Sequence, residues 1–419
     1  MFERRRRTAT AALVLAACLA LGAVAAERSL WYETTDFYCL WSAARLVAAR
    51  QDPYDEAIWA AATGGLHPDP RGPLAPSSCA ARYSYPLWTA FAMVPIGILS
   101  LPAGAVAWMA LSLVATVVGA AASWRASGGG RAMTLLFAAI VLTAQPLWLL
   151  VISGQLTGIA LGLAGVAALQ LARGRDASAG VAFGLLALKP QLVALSGPLL
   201  VGWGLVARPR AALGAGAVLV TLLVPTLVVS RQWPLEWIAE LAGRRLRVAS
   251  LLPTAWGLSA DLFGTVLFAP VLIAAVTGIA WYLARRRATP VGVGCIALAI
   301  SVFGTPHAWS YDHLVLVLPW AYSLAIAARA AGPARLGLLI GTVAVASLLP
   351  WTLYAIAFTR GGETLNALVP AFTAILVAAA IGSQPDRGSS AVSGRPPGLD
   401  ATTRTPPGRA TGRPDRGHP

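Results

Sequence analysis

The segment from His307 to His313 combines two imidazoles, a carboxylate, a phenol and an indole, and it holds the sharpest concentration of potential chemistry in the chain. It runs directly into an apolar stretch, Leu314 to Trp320, which is typical of a membrane-spanning helix. Polar groups at the mouth of such a helix are costly unless they have a function. We therefore interpret this segment as one wall of an active site at a membrane surface.

Three side chains of this segment, His307, Asp312 and His313, leave more than one interpretation open. Two histidines and an aspartate could bind a metal ion, but their spacing matches no strong metal motif, so no metal site is predicted. Binding of a phosphate or of sugar hydroxyl groups fits these residue types better. The alternative is an ordinary cluster of polar residues at a helix end.

Three further polar residues stand out from their surroundings. Asp36 lies beside aromatic residues near the end of an apolar run, where a carboxylate could accept a proton from a substrate hydroxyl; alternatively, it simply ends a helix. Lys189, the only lysine, precedes Pro190 in an apolar segment and is expected to bind an anion such as a lipid phosphate, unless it snorkels to the surface. Gln155 is a weaker candidate, because a glutamine between two helices often serves packing alone.

The composition indicates a polytopic membrane protein. Of the 419 residues, 57% are hydrophobic and 12% are charged, which is about half the charged share of a soluble protein. The net charge of +15 comes from arginines in short clusters between apolar runs and in the tail, a pattern of cytoplasmic loops rather than of nucleic-acid binding. The bias toward Ala, Arg, Gly and Pro is typical of a GC-rich bacterial genome. We expect a multi-pass protein of the bacterial cytoplasmic membrane.

The apolar segments predict an all-α protein with about ten to twelve transmembrane helices and both termini in the cytoplasm. A first apolar run over residues 9–26 is either the first helix, which we favour, or a signal peptide. The positive-inside rule fits the second half of the chain. In the first half it fits only if residues 86–101 skim the surface and residues 179–206 enter and return. In both schemes Asp36 and His307 share the external face.

The chain is predicted to form one transmembrane domain, residues 1–382, with a cytoplasmic tail over residues 383–419. The tail is expected to be disordered, because it has too few apolar residues to bury a core. Two larger external loops belong to the transmembrane domain: residues 31–85 and residues 231–261.

Four cysteines have no metal-like spacing. Cys39 and Cys79 fall in the first predicted external loop and could form a disulfide, since the external side is oxidising. The other two, Cys18 and Cys295, lie in or near predicted spans.

A series of short motifs follows in one order along the chain: Asp36-Phe37-Tyr38, Ala43-Ala44-Arg45, Asp52-Pro53-Tyr54, Tyr85-Pro86, Gly154-Gln155, Ala179-Gly180, Lys189-Pro190 and Ser310-Tyr311-Asp312-His313. In this order the motifs resemble glycosyltransferase family 87, the bacterial mannosyltransferases that use polyprenol-phosphate-mannose. The resemblance covers about residues 30–330. It implies the multi-spanning C-type glycosyltransferase fold.

The resemblance also implies an inverting hexosyltransferase, which moves mannose from a polyprenyl-phosphate donor to a hydroxyl group of a lipid or glycan acceptor on the external side of the membrane. Asp36 would be the base that deprotonates the acceptor. The leaving polyprenyl phosphate needs fixed cations, and Lys189, His307 and His313 are the predicted ones. The remaining predicted substrate contacts are Asp312, Gln155 and Tyr38.

The chief alternative is a transporter or flippase of a polar lipid or sugar, which would have a similar number of spans. It would place polar residues at successive depths, whereas here they concentrate at one face. Within the enzyme class, transfer of another sugar, such as arabinose or glucose, also stays open. The sequence predicts no cofactor; a divalent metal ion is compatible but not indicated. It does not define the oligomeric state.

Overall fold

All regular elements in the described part of the computed structural model are helices. That part comprises residues 35–63, 79, 83–248, 251–285, 287 and 289–384. The predicted first span over residues 9–26 and all but two residues of the predicted tail lie outside the described residues.

The described part of the first predicted external loop forms two helices, α1 (Asp36–Ala48) and α2 (Glu56–Thr63), and the chain then enters α3 (Leu87–Gly97). α1 is mostly buried and packs against α3. A disulfide joins Cys39 of α1 to Cys79, so the pairing left open by the sequence is present in the structure.

Two features of the first half of the membrane body follow directly from the sequence. The helices Leu101–Ala126 and Thr157–Ala172 can pack closely because Gly119 has no side chain: a Cβ there would lie 2.5 Å from the Leu161 carbonyl oxygen. The helix is broken at Pro190, which has no amide proton and disfavours helical backbone at Lys189, where φ is −133° and ψ is 72°. The helices of this half are α4 (Leu101–Ala126), α5 (Thr134–Thr143), α6 (Gln145–Ser153), α7 (Thr157–Ala172), α8 (Asp176–Gly184), α9 (Ser196–Ala207) and α10 (Pro209–Val229).

The second half of the described chain surrounds one almost fully buried helix. This helix is Val317–Arg329, and the 3₁₀ helix Ser310–Leu316 leads into it. Of the apolar part of the continuous stretch Ser310–Arg329, 89% is buried inside the protein. Just before it, the chain leaves helical geometry between Gly304 and Ser310. The helices are α11 (Trp233–Val248), α12 (Ala255–Phe263), α13 (Ala269–Ala284), α14 (Pro290–Gly304), α15 (Val317–Arg329), α16 (Gly332–Val343), α17 (Leu349–Arg360) and α18 (Leu368–Gly382), with a π-helical turn, Ala344–Leu348, between α16 and α17.

An all-α polytopic membrane protein is confirmed, although the described residues contain fewer full-length spans than the number of apolar segments suggested. Six helical stretches are long and apolar enough to cross a membrane, and a seventh is formed if α5 and α6, which meet at a bend of 45°, count as one span. The full-length stretches are Leu101–Ala126, Pro209–Val229, Val266–Ala284, Ser310–Arg329, Gly332–Arg360 and Thr364–Gly382. The shorter apolar helices are Leu87–Gly97, Thr157–Ala172, Asp176–Leu188, Ser196–Ala207 and Pro290–Gly304.

Contacts between helix ends define an arginine-rich end of the body. The Arg329 guanidinium donates to the Gly128 carbonyl just after α4, and Arg287 donates to the Gly382 carbonyl at the end of α18. Arg208 forms an ion pair with Asp176 at the start of α8, with an N–O distance of 2.9 Å. The arginines that the helix directions place at this end are Arg125, Arg131, Arg173, Arg175, Arg208, Arg210, Arg285, Arg287, Arg329 and Arg335.

Candidate active site

One polar network lies at the end of the body opposite the arginine-rich end. At its centre, the buried ammonium of Lys189 lies 2.5 Å from Oδ1 of Asp312, and each side chain is only 1% exposed. The same ammonium donates to Oε1 of Gln155 and to Oγ1 of Thr157, both at 2.9 Å. Thr157 in turn donates to Oδ1 of Asp312 at 2.9 Å. The buried charge is therefore paired and fully hydrogen-bonded, as a charge at this depth requires.

The network reaches Asp36 through the amide of Gln155. Oε1 of Gln155 accepts hydrogen bonds from Lys189 and from the Tyr85 hydroxyl, at 2.9 and 3.2 Å, which turns Nε2 toward Oδ2 of Asp36, to which it donates. The Tyr311 hydroxyl donates to the same carboxylate oxygen at 3.3 Å. Asp36 is only partly buried, so this end of the network is accessible from outside the protein.

Breaks in the helices bring these side chains together. Gln155 lies between α6 and α7, Lys189 lies between two 3₁₀ turns, and Asp312 belongs to the 3₁₀ helix before α15. The turn before Gln155 approaches α1 closely: Gly154 has a φ of 64°, and a Cβ there would lie 2.9 Å from the Phe37 Cβ. Glycine is therefore required at that turn by its backbone conformation and by the lack of space.

The segment that carries Tyr311 and Asp312 is held on two sides. On one side, Oδ2 of Asp312 accepts the Trp309 amide at 3.1 Å. On the other side, Glu363 accepts the Ser310 amide at 3.0 Å, and Nδ2 of Asn366 donates to the Ser310 hydroxyl at 2.6 Å. Burial raises the pKa of the Glu363 carboxyl to about 7. Sequence reasoning missed Glu363 and Asn366; the available signal was a carboxylate in the short connection between two apolar spans.

The two predicted histidines are placed differently. His307 is partly exposed on the non-helical segment before Ser310. His313 is fully buried, and neither of its ring nitrogens has a partner with good hydrogen-bond geometry among the described residues, although the Pro253 carbonyl faces the ring. No described hydrogen bond links His313 to the network around Lys189.

Tyr38 belongs to a different part of this end of the protein. Its hydroxyl donates to the Ala62 carbonyl at 3.4 Å, and its ring lies 5.9 Å from the Trp41 ring. The hydrogen bond to Ala62 joins α1 to α2, and the ring contact lies within α1. Its predicted role as a substrate contact stays a prediction.

An aromatic cluster packs behind the Tyr85 side of the network. The Tyr54 hydroxyl donates to the Tyr85 carbonyl, and burial raises the pKa of Tyr54, which keeps this donor protonated. Trp233 of α11 stacks on Tyr54 with 6.5 Å between ring centroids and meets Trp88 edge-on at 5.0 Å. The two predicted external loops are therefore packed together here, and the Tyr54–Tyr85 bond connects the cluster to Gln155.

No group of three His, Cys, Asp or Glu side chains among the described residues is arranged to hold a metal ion. Charge in the site is carried by Asp36, Lys189 and Asp312, with Glu363 behind them.

Fold and site together define a polytopic membrane protein with a charged, hydrogen-bonded site at one end of its helical body. The model of glycosyltransferase family 87 matches residues 83–309, which is more than half of the chain. The chain therefore belongs to glycosyltransferase family 87, as its motifs predicted. The match includes Gln155, Lys189 and His307, whereas Asp36 and Asp312 lie outside it. No curated protein and no solved structure shows significant similarity to the chain.

Proposed function

We propose that the protein is an inverting transferase, which moves mannose from a polyprenyl-phosphate donor to a hydroxyl group of a lipid or glycan acceptor, at the external face of the bacterial cytoplasmic membrane. Membership of a glycosyltransferase family supports sugar transfer. One observation carries the assignment of the site: the partly exposed carboxylate of Asp36 is joined to the buried ammonium of Lys189 through a single side chain, Gln155. A carboxylate that is oriented in this way and still accessible suits a general base.

In the proposed step the acceptor hydroxyl gives its proton to Asp36 while its oxygen attacks the anomeric carbon of the donor sugar. The bond between that carbon and the phosphate oxygen breaks on the opposite face of the ring, and the electron pair leaves with the polyprenyl phosphate. Attack opposite the leaving group inverts the anomeric configuration. The departing phosphate then needs positive charge or hydrogen-bond donors that are already in place.

Among the predicted cations, His307 suits that phosphate best. It is partly exposed and lies on the same segment as Tyr311, whose hydroxyl reaches Asp36. His313 is fully buried, and the three protons of the Lys189 ammonium are all committed within the network. We therefore assign Lys189 an internal role: it holds the amide that orients the base.

Two observations support an external site. Cys39 of α1 forms a disulfide with Cys79, and disulfides persist on the oxidising side of the membrane. The arginine-rich end lies at the opposite end of the body, and the positive-inside rule assigns such an end to the cytoplasm. With this orientation the donor's lipid chain lies in the bilayer and its headgroup at the site.

The decisive experiment measures transfer of labelled mannose from polyprenyl-phosphate-mannose to a membrane lipid extract by the purified protein. We expect Asp36→Asn to lower the rate about 10²–10⁴-fold, as for loss of a general base. Asp176→Asn, the same change in the ion pair at the arginine-rich end, is the matched control and should retain the rate. We assign no cofactor to the step and expect equal rates with EDTA and with added Mg²⁺.

The outcomes separate the parts of the proposal. Equal rates for the wild type and Asp36→Asn would show that Asp36 is not the general base. Transfer of glucose or arabinose, but not mannose, from a polyprenyl-phosphate donor would show that the proposed donor sugar is wrong and that the proposed type of reaction is right. Failure with every polyprenyl-phosphate sugar would favour the transporter.

A further inference from the structure

The segment between α14 and α15 needs support from outside itself. It leaves helical geometry after Gly304 and resumes only as a 3₁₀ helix at Ser310, yet it carries both Tyr311 and Asp312. Ser310 and Asp312 are buried, and buried non-helical backbone is tolerated only where other groups satisfy its hydrogen bonds. The orientation of the two side chains therefore depends on which groups bind this backbone.

The Lys189 network supplies only one of the two anchors. Asp312 ties the segment to Lys189 and, through its second oxygen, binds the Trp309 amide. The next amide, that of Ser310, is bound by Oε2 of Glu363 at 3.0 Å. The two anchors bind the adjacent amides of Trp309 and Ser310, and Tyr311 follows directly after them.

Glu363 is itself rigidly held. Its side chain is 4% exposed, and its own amide donates to the Leu251 carbonyl at 2.9 Å. Its carbonyl accepts the Asn366 amide at 2.8 Å, while the Asn366 side chain donates to the Ser310 hydroxyl. Glu363 thus joins three separate parts of the chain around Ser310. It lies beyond the residues that the family model matches.

We propose that Glu363 is a positioning residue, which binds the Ser310 amide and thereby fixes Tyr311 against Asp36 and Asp312 against Lys189. This inference rests on the proposed function, in which Asp36 is the base. Glu363 acts through the segment, because its described contacts are to Ser310, Leu251 and Asn366 rather than to Asp36.

The charge on Glu363 offers a readout that a merely structural contact would lack. Its pKa is raised to about 7, first by burial and also by nearby Asp312, while the hydrogen bonds from Ser310 oppose the rise. The carboxylate form therefore grows as the pH rises through about 7, and a carboxylate accepts an amide proton more strongly than a neutral carboxyl does. The other ionisable groups on the neighbouring elements are His313 within the 3₁₀ helix, Asp261 on α12, and Tyr354 and Arg360 on α17.

The test compares Glu363→Ala and Glu363→Gln in the full-length protein. Thr289→Ala is the matched control, because it removes a comparable bond to a backbone amide, that of Gly292, at the arginine-rich end. Amide hydrogen exchange over residues 305–316 and the steady-state kinetics of mannose transfer are measured for each variant. We expect Glu363→Ala to speed exchange of this segment and to lower kcat about tenfold or more, as for loss of a hydrogen bond to a charged group.

The other two variants are expected to differ from Glu363→Ala in defined ways. Glu363→Gln keeps an acceptor oxygen but carries no charge, so it should preserve exchange protection and lower kcat less than Glu363→Ala does. Its kcat at every pH should be close to the value that the wild type reaches when Glu363 is protonated below about pH 7, so the pH-dependent fall that we expect of the wild type should be lost. Thr289→Ala should keep both the wild-type exchange over 305–316 and the wild-type kcat.

Three results would overturn the inference. Unchanged exchange in Glu363→Ala would show that Glu363 does not anchor the segment. Faster exchange with unchanged kcat would show that the anchor does not position the site. An identical pH profile for the wild type and Glu363→Gln would show that the charge of Glu363 does not affect the site. If the wild type transfers no sugar, the proposed function fails, while the exchange measurement still decides the anchor.

Discussion

Replacing Lys189 with methionine should destabilise the protein strongly. Lys189 and Asp312 are each 1% exposed and lie 2.5 Å apart, and the ammonium makes two further hydrogen bonds, to Gln155 and Thr157. Methionine fills a similar volume but leaves the Asp312 carboxylate buried without its cation. Removing one partner of such a pair costs about 3–5 kcal/mol, because the remaining charge is stranded.

A double-mutant cycle tests this explanation, because the second substitution, Asp312→Asn, removes the stranded charge. In the double variant Lys189→Met, Asp312→Asn no buried charge is left unpaired, so its loss of stability should be smaller than the sum of the two single losses. We expect a coupling free energy of about 2 kcal/mol, within the range for residues in direct contact. The assay is thermal unfolding of the detergent-purified variants, followed by intrinsic tryptophan fluorescence.

A second cycle at the arginine-rich end provides the comparison. Arg208 and Asp176 also form an ion pair, but their side chains are 34% and 20% exposed. Water screens such a pair, so Arg208→Met with Asp176→Asn should give a coupling below about 1 kcal/mol. If the Lys189 cycle gives no larger coupling than the Arg208 cycle, the view that the buried pair organises the site is refuted.

The remaining predictions concern the loop disulfide and helix packing. Cys39→Ser opens a disulfide that spans 40 residues, which should cost about 2–5 kcal/mol in thermal unfolding; a reductant should lower the wild-type midpoint toward that of the variant and leave the variant unchanged. Gly180→Ala should destabilise the contact of α8 with α10, because the new Cβ would lie 1.9 Å from the Ala211 carbonyl oxygen, whereas Gly216→Ala, with nothing within 4 Å, should be neutral in the same assay.

The sequence singled out four side chains that the structure joins into one network, namely Asp36, Gln155, Lys189 and Asp312. Each was recognisable because a polar group in apolar surroundings needs a partner or a function. The partners themselves were not predictable, because each lies on a different helix break and their proximity depends on tertiary packing. Their catalytic and binding roles stay predictions.

The local geometry around His313 shows another limit of sequence reasoning. Residues 310–316 form a 3₁₀ helix, which has about three residues per turn rather than the 3.6 of an α-helix. Ser310 and His313 therefore share one face, toward Glu363 and Pro253, while Asp312 faces Lys189. This period explains why two neighbouring residues, both predicted as substrate contacts, lie in different surroundings.

The lengths of the helices explain why the number of apolar segments did not predict the number of membrane crossings. α3 has eleven residues, about 16 Å of helix, which cannot cross a bilayer core of about 30 Å. α7 begins just after Gln155, α8 and its 3₁₀ turn end just before Lys189, and α14 ends just before His307. The helices that end next to residues of the site are short, so the number of apolar segments is larger than the number of membrane crossings. With α3 and the broken α8–α9 region not counted as separate crossings, the arginines of both halves fall at one end, as the positive-inside rule requires.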